Sequence, residues 1–216
     1  MKRSVAVGTT TRTTAAARAA DRFPILTPAQ LTPEQKKLMQ SLLAGPRTAG
    51  VSAAEAMDRL LKGGPFNAWL RSPDLGERLQ KVGEYIRFNS SLPRHLNEFA
   101  ILITARHWTS QYEWYAHLLL AMKAGLDPKL ASALAENRRP ARMQKDEAAV
   151  YDFCTQLHRA RKVTDAAYRR ALGLFGERGV MDLIGVSGYY TMVSMTLNVA
   201  KVPLPGGQKN PLKPLK

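Results

Sequence analysis

Residues 92–125 read LPRHLNEFAILITARHWTSQYEWYAHLLLAMKAG, and two helices with a polar break between them account for this stretch. Leu92-Pro93 opens the first, since proline fits the first helical position, where an amide N–H lacks a partner anyway. It runs to about Trp108. Leu96, Phe99, Ala100, Ile101, Leu102 and Ile103 leave little of it polar, so it belongs in the middle of a domain. Thr109-Ser110 is the break. The second helix runs from Gln111 to Ala124 and is closed by Gly125 and Pro128.

The same signals recur on both sides. Thr32-Pro33-Glu34 is a hydroxyl cap, a proline and an early carboxylate, followed by Leu38, Leu42 and Leu43 on one face. Ser52 to Leu61 is a second helix stopped by Gly63-Gly64-Pro65, and Phe66 to Leu70 is one further turn. Ser72-Pro73-Asp74 starts another, with Leu75, Leu79, Val82 and Ile86 at three- and four-residue spacing. Downstream come Pro128–Ala135, then Asp146–Arg161, then a helix capped by Thr164-Asp165 and ending at Phe175-Gly176. The last runs from Gly179 to Val199. No alternating strand pattern and no repeat is present. The expected fold is an all-α, compact multi-helix bundle.

The chain has 216 residues and a formal net charge of +15. Of that excess, +8 lies in residues 1–22 and 201–216, which leaves +7 for everything between. Both ends are low in apolar periodicity, so they are expected to be flexible tails. The predicted organisation is a disordered basic leader over 1–30, a helical extension over 31–64, a main helical domain over 65–202 and a Pro/Lys-rich tail over 203–216. No helix-turn-helix or aromatic-basic stacking pattern accompanies the charge, so no nucleic-acid partner is expected. The longest apolar runs are too short to span a bilayer. The cytoplasm is the expected location, with export or organelle targeting by the hydroxyl-rich leader left open. A single cysteine, Cys154, excludes an internal disulfide framework and any CxxC redox or zinc motif.

The chemistry concentrates between Glu98 and His117. Glu98 lies among apolar residues and must be paired, hydrogen-bonded or protonated. Its partner is either a substrate-site group or a cation such as Arg106 or Arg94. Glu113 and His117, four apart, share one helix face, where a carboxylate can orient and charge an imidazole. Tyr112, His107, Trp108 and Trp114 flank them as pocket walls with apolar bodies and polar tips. His158, within a basic run near a helix C-terminus, sits where cations are favoured. Met181, Met192 and Met195 on the last helix read as core or subunit contact. Glu98, Glu113, His117 and His107 form a conceivable metal set, but ExxxH is not the zinc motif, so no metal is expected.

Taken together, Leu96-Asn97-Glu98, Ala100-Ile101-Leu102, Ala105-Arg106, Tyr112-Glu113-Trp114, His117 and Ala124-Gly125-Leu126 resemble the carboxymuconolactone decarboxylase-like family, which includes the alkylhydroperoxidase D proteins. Glu147 to Tyr151, Phe175-Gly176, Gly188-Tyr189-Tyr190 and Asn198 fit the same pattern, and the resemblance covers about residues 65–205. It implies a helical domain that self-associates as trimers or hexamers. In the peroxidase branch a CxxC pair and a following histidine work with a buried glutamate. By spacing, those cysteines fall on Ser110 and Glu113 and the histidine on His117, so the relay ends are kept and both thiols are missing.

Thiol peroxidase activity is therefore not expected, whatever label the family carries. The decarboxylase branch implies general acid–base chemistry without a cofactor on a small anionic lactone or cyclic carboxylic acid, in aromatic-compound catabolism. His117, charged by Glu113 or Glu98, is the expected catalytic acid. Arg106, or Arg94, is the expected carboxylate partner, and Tyr112 the oxyanion donor. The alternative is an inactive helical scaffold that binds anionic partners through residues such as Arg138, Arg139 and Arg159.

Overall fold

A computed structural model describes residues 22–215, and every regular element among them is helical. The helices are α1 (Pro33–Ala44), α2 (Ala53–Lys62), α3 (Phe66–Trp69), α4 (Pro73–Phe88), α5 (Arg94–His107), α6 (Gln111–Lys123), α7 (Pro128–Ala135), α8 (Lys145–Ala160) and α9 (Asp165–Ala200). The caps are the ones the sequence advertises. Thr32 Oγ1 accepts from the Gln35 N–H while Gln35 Oε1 accepts from the Thr32 N–H at 3.0 Å, a reciprocal capping box. Ser52, Asp127 and Thr164 each accept a first-turn backbone N–H in the same way.

Helix α5 is the central element. Every residue from Leu96 to Arg106 is buried, because α6, α7, α8 and α9 all pack around it. An all-round apolar helix has no other stable place in water. The main core joins α5 to Trp114, Val150, Phe153, Leu183, Val186 and Tyr190. A second, smaller core of Leu31, Leu38, Met39, Leu42, Leu60, Leu61 and Leu70 holds the N-terminal helices, with α1 lying across α4.

The turn between α5 and α6 fixes the geometry of the site. Ser110 N–H donates to Ala105 O at 2.9 Å and Thr109 N–H to Arg106 O at 3.0 Å, the paired bonds of a Schellman ending. Such an ending needs a left-handed residue, and here that residue is Thr109, at φ +46°. Glycine is usual at this position; α6 ends in the same motif with Gly125. A β-branched residue held at positive φ is strained backbone next to the candidate site.

One sequence expectation holds at a finer level and two are corrected. The last two predicted helices are present as the two segments of α9, which meet at Gly176, where the backbone leaves the helical region (φ 66°, ψ −179°) and only glycine is at ease. The leader assigned to 1–30 has its first 21 residues outside those described. Residues 22–30 are held, with Asn67 Nδ2 donating to Phe23 O at 3.0 Å and Leu26 N–H donating to Asn67 Oδ1 at 3.2 Å. At the other end, Leu212 is 2% exposed in the main core, and its N–H and C=O both pair with the Gln111 amide at 2.9 and 2.8 Å. One leucine and one side-chain amide suffice to dock a segment that has no periodicity to advertise it. No helix among the described residues is long and apolar enough to cross a membrane.

Candidate active site

Glu98, Glu113 and His117 converge. Glu98 projects from the middle of α5, and Glu113 and His117 come from successive turns of α6. His117 Nδ1 lies 2.6 Å from Glu98 Oε2, and His117 Nε2 lies 2.9 Å from Glu113 Oε1. Both ring nitrogens therefore face carboxylate oxygens, which only accept, so the arrangement suits an imidazolium donating twice. All three residues are buried. Burial alone favours the neutral ring, but the charges of Glu113 and Glu98 and their hydrogen bonds outweigh it and raise the His117 pKa to about 9.

The ring of Tyr190, from α9, meets His117 edge-on with centroids 4.9 Å apart, and Tyr189 meets Tyr190 at 5.1 Å. Burial pushes the Tyr189 hydroxyl up to about 12, against the pull of the nearby Arg47 guanidinium. Arg47 is in turn held by Gln80, its Nη2 donating to Gln80 O at 3.2 Å. The N-terminal helices thus reach the site. A Cβ on Gly83 of α4 would collide with the Tyr189 hydroxyl, and one on Gly63 with the Tyr112 hydroxyl. Only glycine permits either approach.

The remaining predicted residues are distributed elsewhere. Glu98 is paired with His117, which settles the choice of partner against Arg106 and Arg94. Trp114 is 2% exposed and packs into the main core. Trp108 ties α5 to α9, its Nε1 donating to Thr191 Oγ1 at 3.1 Å. Tyr112 is half-buried and lines a cavity of about 350 Å³ with Asn198, Lys201 and Asn210. Arg106 and His107 line a different cavity of about 310 Å³, and neither cavity is lined by Glu98, Glu113 or His117. The two-carboxylate, two-histidine set is therefore not assembled, and no cluster of three metal-ligating side chains occurs among the described residues.

His158 is not held as a cation despite its place at a helix end. It stacks on His107 with centroids 4.9 Å apart and an interplanar angle of 18°, and burial, with His107 beside it, lowers its pKa to about 4. Met181 and Met195 lie exposed on α9 rather than in the core. Ser110, where the resemblance would place a cysteine, is buried with its hydroxyl unpartnered. Sequence reasoning gave no contact role to Tyr189, Tyr190, Arg47 or Gln80. The one available signal was a tyrosine pair inside an otherwise apolar helix.

In comparisons with known proteins, no family model matches this sequence and no curated protein matches it.

Proposed function

We propose that this chain is a carboxymuconolactone decarboxylase-like enzyme that acts by general acid–base chemistry on a small anionic lactone or cyclic carboxylic acid. The observation that carries the reading is the line Glu98–His117–Glu113, an imidazole with a carboxylate at each nitrogen. In the reaction the bond between the ring carbon and the carboxylate breaks and CO2 leaves. The electron pair enters the lactone carbonyl as an enolate, which then takes a proton at carbon. Glu113 is ionised, so the proton originates on the His117 imidazolium: it passes from Nε2 to Glu113, which hands it on to the enolate carbon, and solvent returns a proton to the neutral ring. Glu98 anchors the ring throughout. Tyr112 is the neighbouring oxyanion donor, and Lys201, across the cavity that Tyr112 lines, is a cation for the substrate carboxylate.

Thiol peroxidase chemistry has less support. Cys154 is fully buried between α8 and α9 beside Ser187, and burial pushes its thiol up to about 12, which disfavours the thiolate such chemistry needs. The exposed Met181, Ile184, Met195 and Val199 on α9 offer an apolar face for the proposed self-association. A second reading, a scaffold with the triad as an internal strut, draws on the burial of all three groups.

Turnover of a panel of carboxylated lactones separates the two. Under the enzyme reading Glu113→Gln and His117→Gln each lose about 10²-fold or more in kcat while the wild type turns over. Variants that melt earlier yet keep wild-type turnover support the strut instead.

A further inference from the structure

Arg106 is 4% exposed, and its Nε and Nη1 make no hydrogen bond. Buried guanidinium donors are almost always satisfied, so two orphaned donors on one side chain mark Arg106 as a cation short of an acceptor within the fold. Arg106 lines a half-open cavity of about 310 Å³ bordered by α5, α7, α8 and the C-terminal segment. That volume falls in the range of small-molecule sites.

The wall chemistry selects the ligand. No lining residue is acidic. Arg138 is already answered by Glu136, its Nε donating to Glu136 Oε2 at 2.7 Å, and Arg159 donates to the neutral Asn137 Oδ1 at 2.9 Å. Arg106 and Arg159 are thus cations without a carboxylate partner among the described residues. His107 and His158 add donors and acceptors rather than charge. Thr104 Oγ1 donates its one proton to Ala100 O at 3.0 Å, so His158 Nε2, 2.9 Å from that oxygen, must be the protonated nitrogen and donate to it. His158 Nδ1 is then left as an acceptor. The other walls are apolar: Ile103, Leu134, Tyr151 and, at the rim, Leu215.

We propose that this cavity binds a small organic carboxylate with an apolar body, its carboxylate received by Arg106 and its body lying against Ile103, Leu134 and Tyr151. An inorganic anion would satisfy the guanidinium but leave those side chains uncovered. The site shares no lining residue with Glu98, Glu113 or His117, and the inference does not rest on the catalytic reading of them.

The test is calorimetric titration of the full chain with benzoate, benzyl alcohol and inorganic phosphate, paired with imidazole NMR. Benzoate is expected to bind about ten-fold or more tighter than either of the others. It should shift the His107 and His158 resonances and leave that of His117 in place. Arg106→Met should weaken benzoate about ten-fold or more. If that variant fails to fold, Leu215→Asp, at an exposed rim position, should weaken benzoate by repulsion. Equal binding of benzyl alcohol or phosphate, shifts confined to His117, or benzoate affinity unchanged in Leu215→Asp would each overturn the assignment.

Discussion

His117 Nδ1 and Glu98 Oε2 are 2.6 Å apart across nineteen residues of chain, joining the two central helices inside the core. The pair is closed on its other side by Glu113, so the imidazole is both the bridge between α5 and α6 and the middle of a line of three buried, hydrogen-bonded groups.

This placement makes stability depend on pH with a definite sign. Burial opposes the charged ring, but Glu113 and Glu98 prevail and hold His117 at about 9, above the unfolded value near 6.5. The contribution is therefore full below about pH 6.5, shrinks above it and is lost as pH rises through about 9. The stability gap between wild type and His117→Gln, from urea midpoints, should narrow from about pH 6 to about pH 10. A gap that stays constant over that range excludes a raised folded pKa.

Each carboxylate should be separately visible in the imidazole titration. Glu98→Gln and Glu113→Gln keep side-chain shape and remove one charge. Each should lower the His117 titration midpoint by about one pH unit or more, as followed by imidazole NMR. A midpoint that responds to only one substitution would mean that the ring in solution leans on one partner.

Thr109 pays a conformational penalty at the α5–α6 turn, where a left-handed backbone is required. Thr109→Gly should stabilise the chain by roughly 0.5–1 kcal/mol, the relief of strain exceeding the added unfolded-state entropy. Chemical denaturation reads this directly, and a destabilised variant would show that the threonine side chain contributes more than its backbone costs.

The C-terminal segment should behave as part of the fold. Leu212→Ala removes a side chain that is 2% exposed and should cost about 2–4 kcal/mol, far above the ±0.5 kcal/mol of a surface substitution. A melting temperature equal to that of wild type would return the segment to the status of a loose tail.

Cys154 should be silent in the native state. With no exposed surface and a thiol pushed up to about 12 by burial, it should resist a disulfide reagent at neutral pH and react fully once the chain is unfolded. Rapid labelling of the folded chain would reopen thiol chemistry for this protein.

Most of the architecture was legible in advance because helix ends are written locally. Thr32-Pro33, Ser52, Pro128 and Thr164-Asp165 each satisfy orphan N–H groups with their own atoms or spare one, so the information lies within four residues of the end it marks. The all-apolar face count of α5 likewise had only one resolution, burial. Gly176 was read as a stop, and its non-helical backbone does separate the two segments of α9.

The sequence by itself determined that the chain is helical, that α5 is central, and that Glu98 needs a partner and Glu113 and His117 share a face. These follow from helical periodicity and from the cost of a bare buried charge. Only the tertiary structure decided which partner Glu98 takes, that Arg106 and His107 belong to a separate basic cavity, that Trp114 is core, and that Leu212 is docked. Those outcomes depend on the angle at which α5 and α6 cross at Thr109 and on which side chains α8, α9 and the N-terminal helices bring to the faces left open. Pairings across such distances have no period and no spacing in the chain; they exist only once the helices have packed.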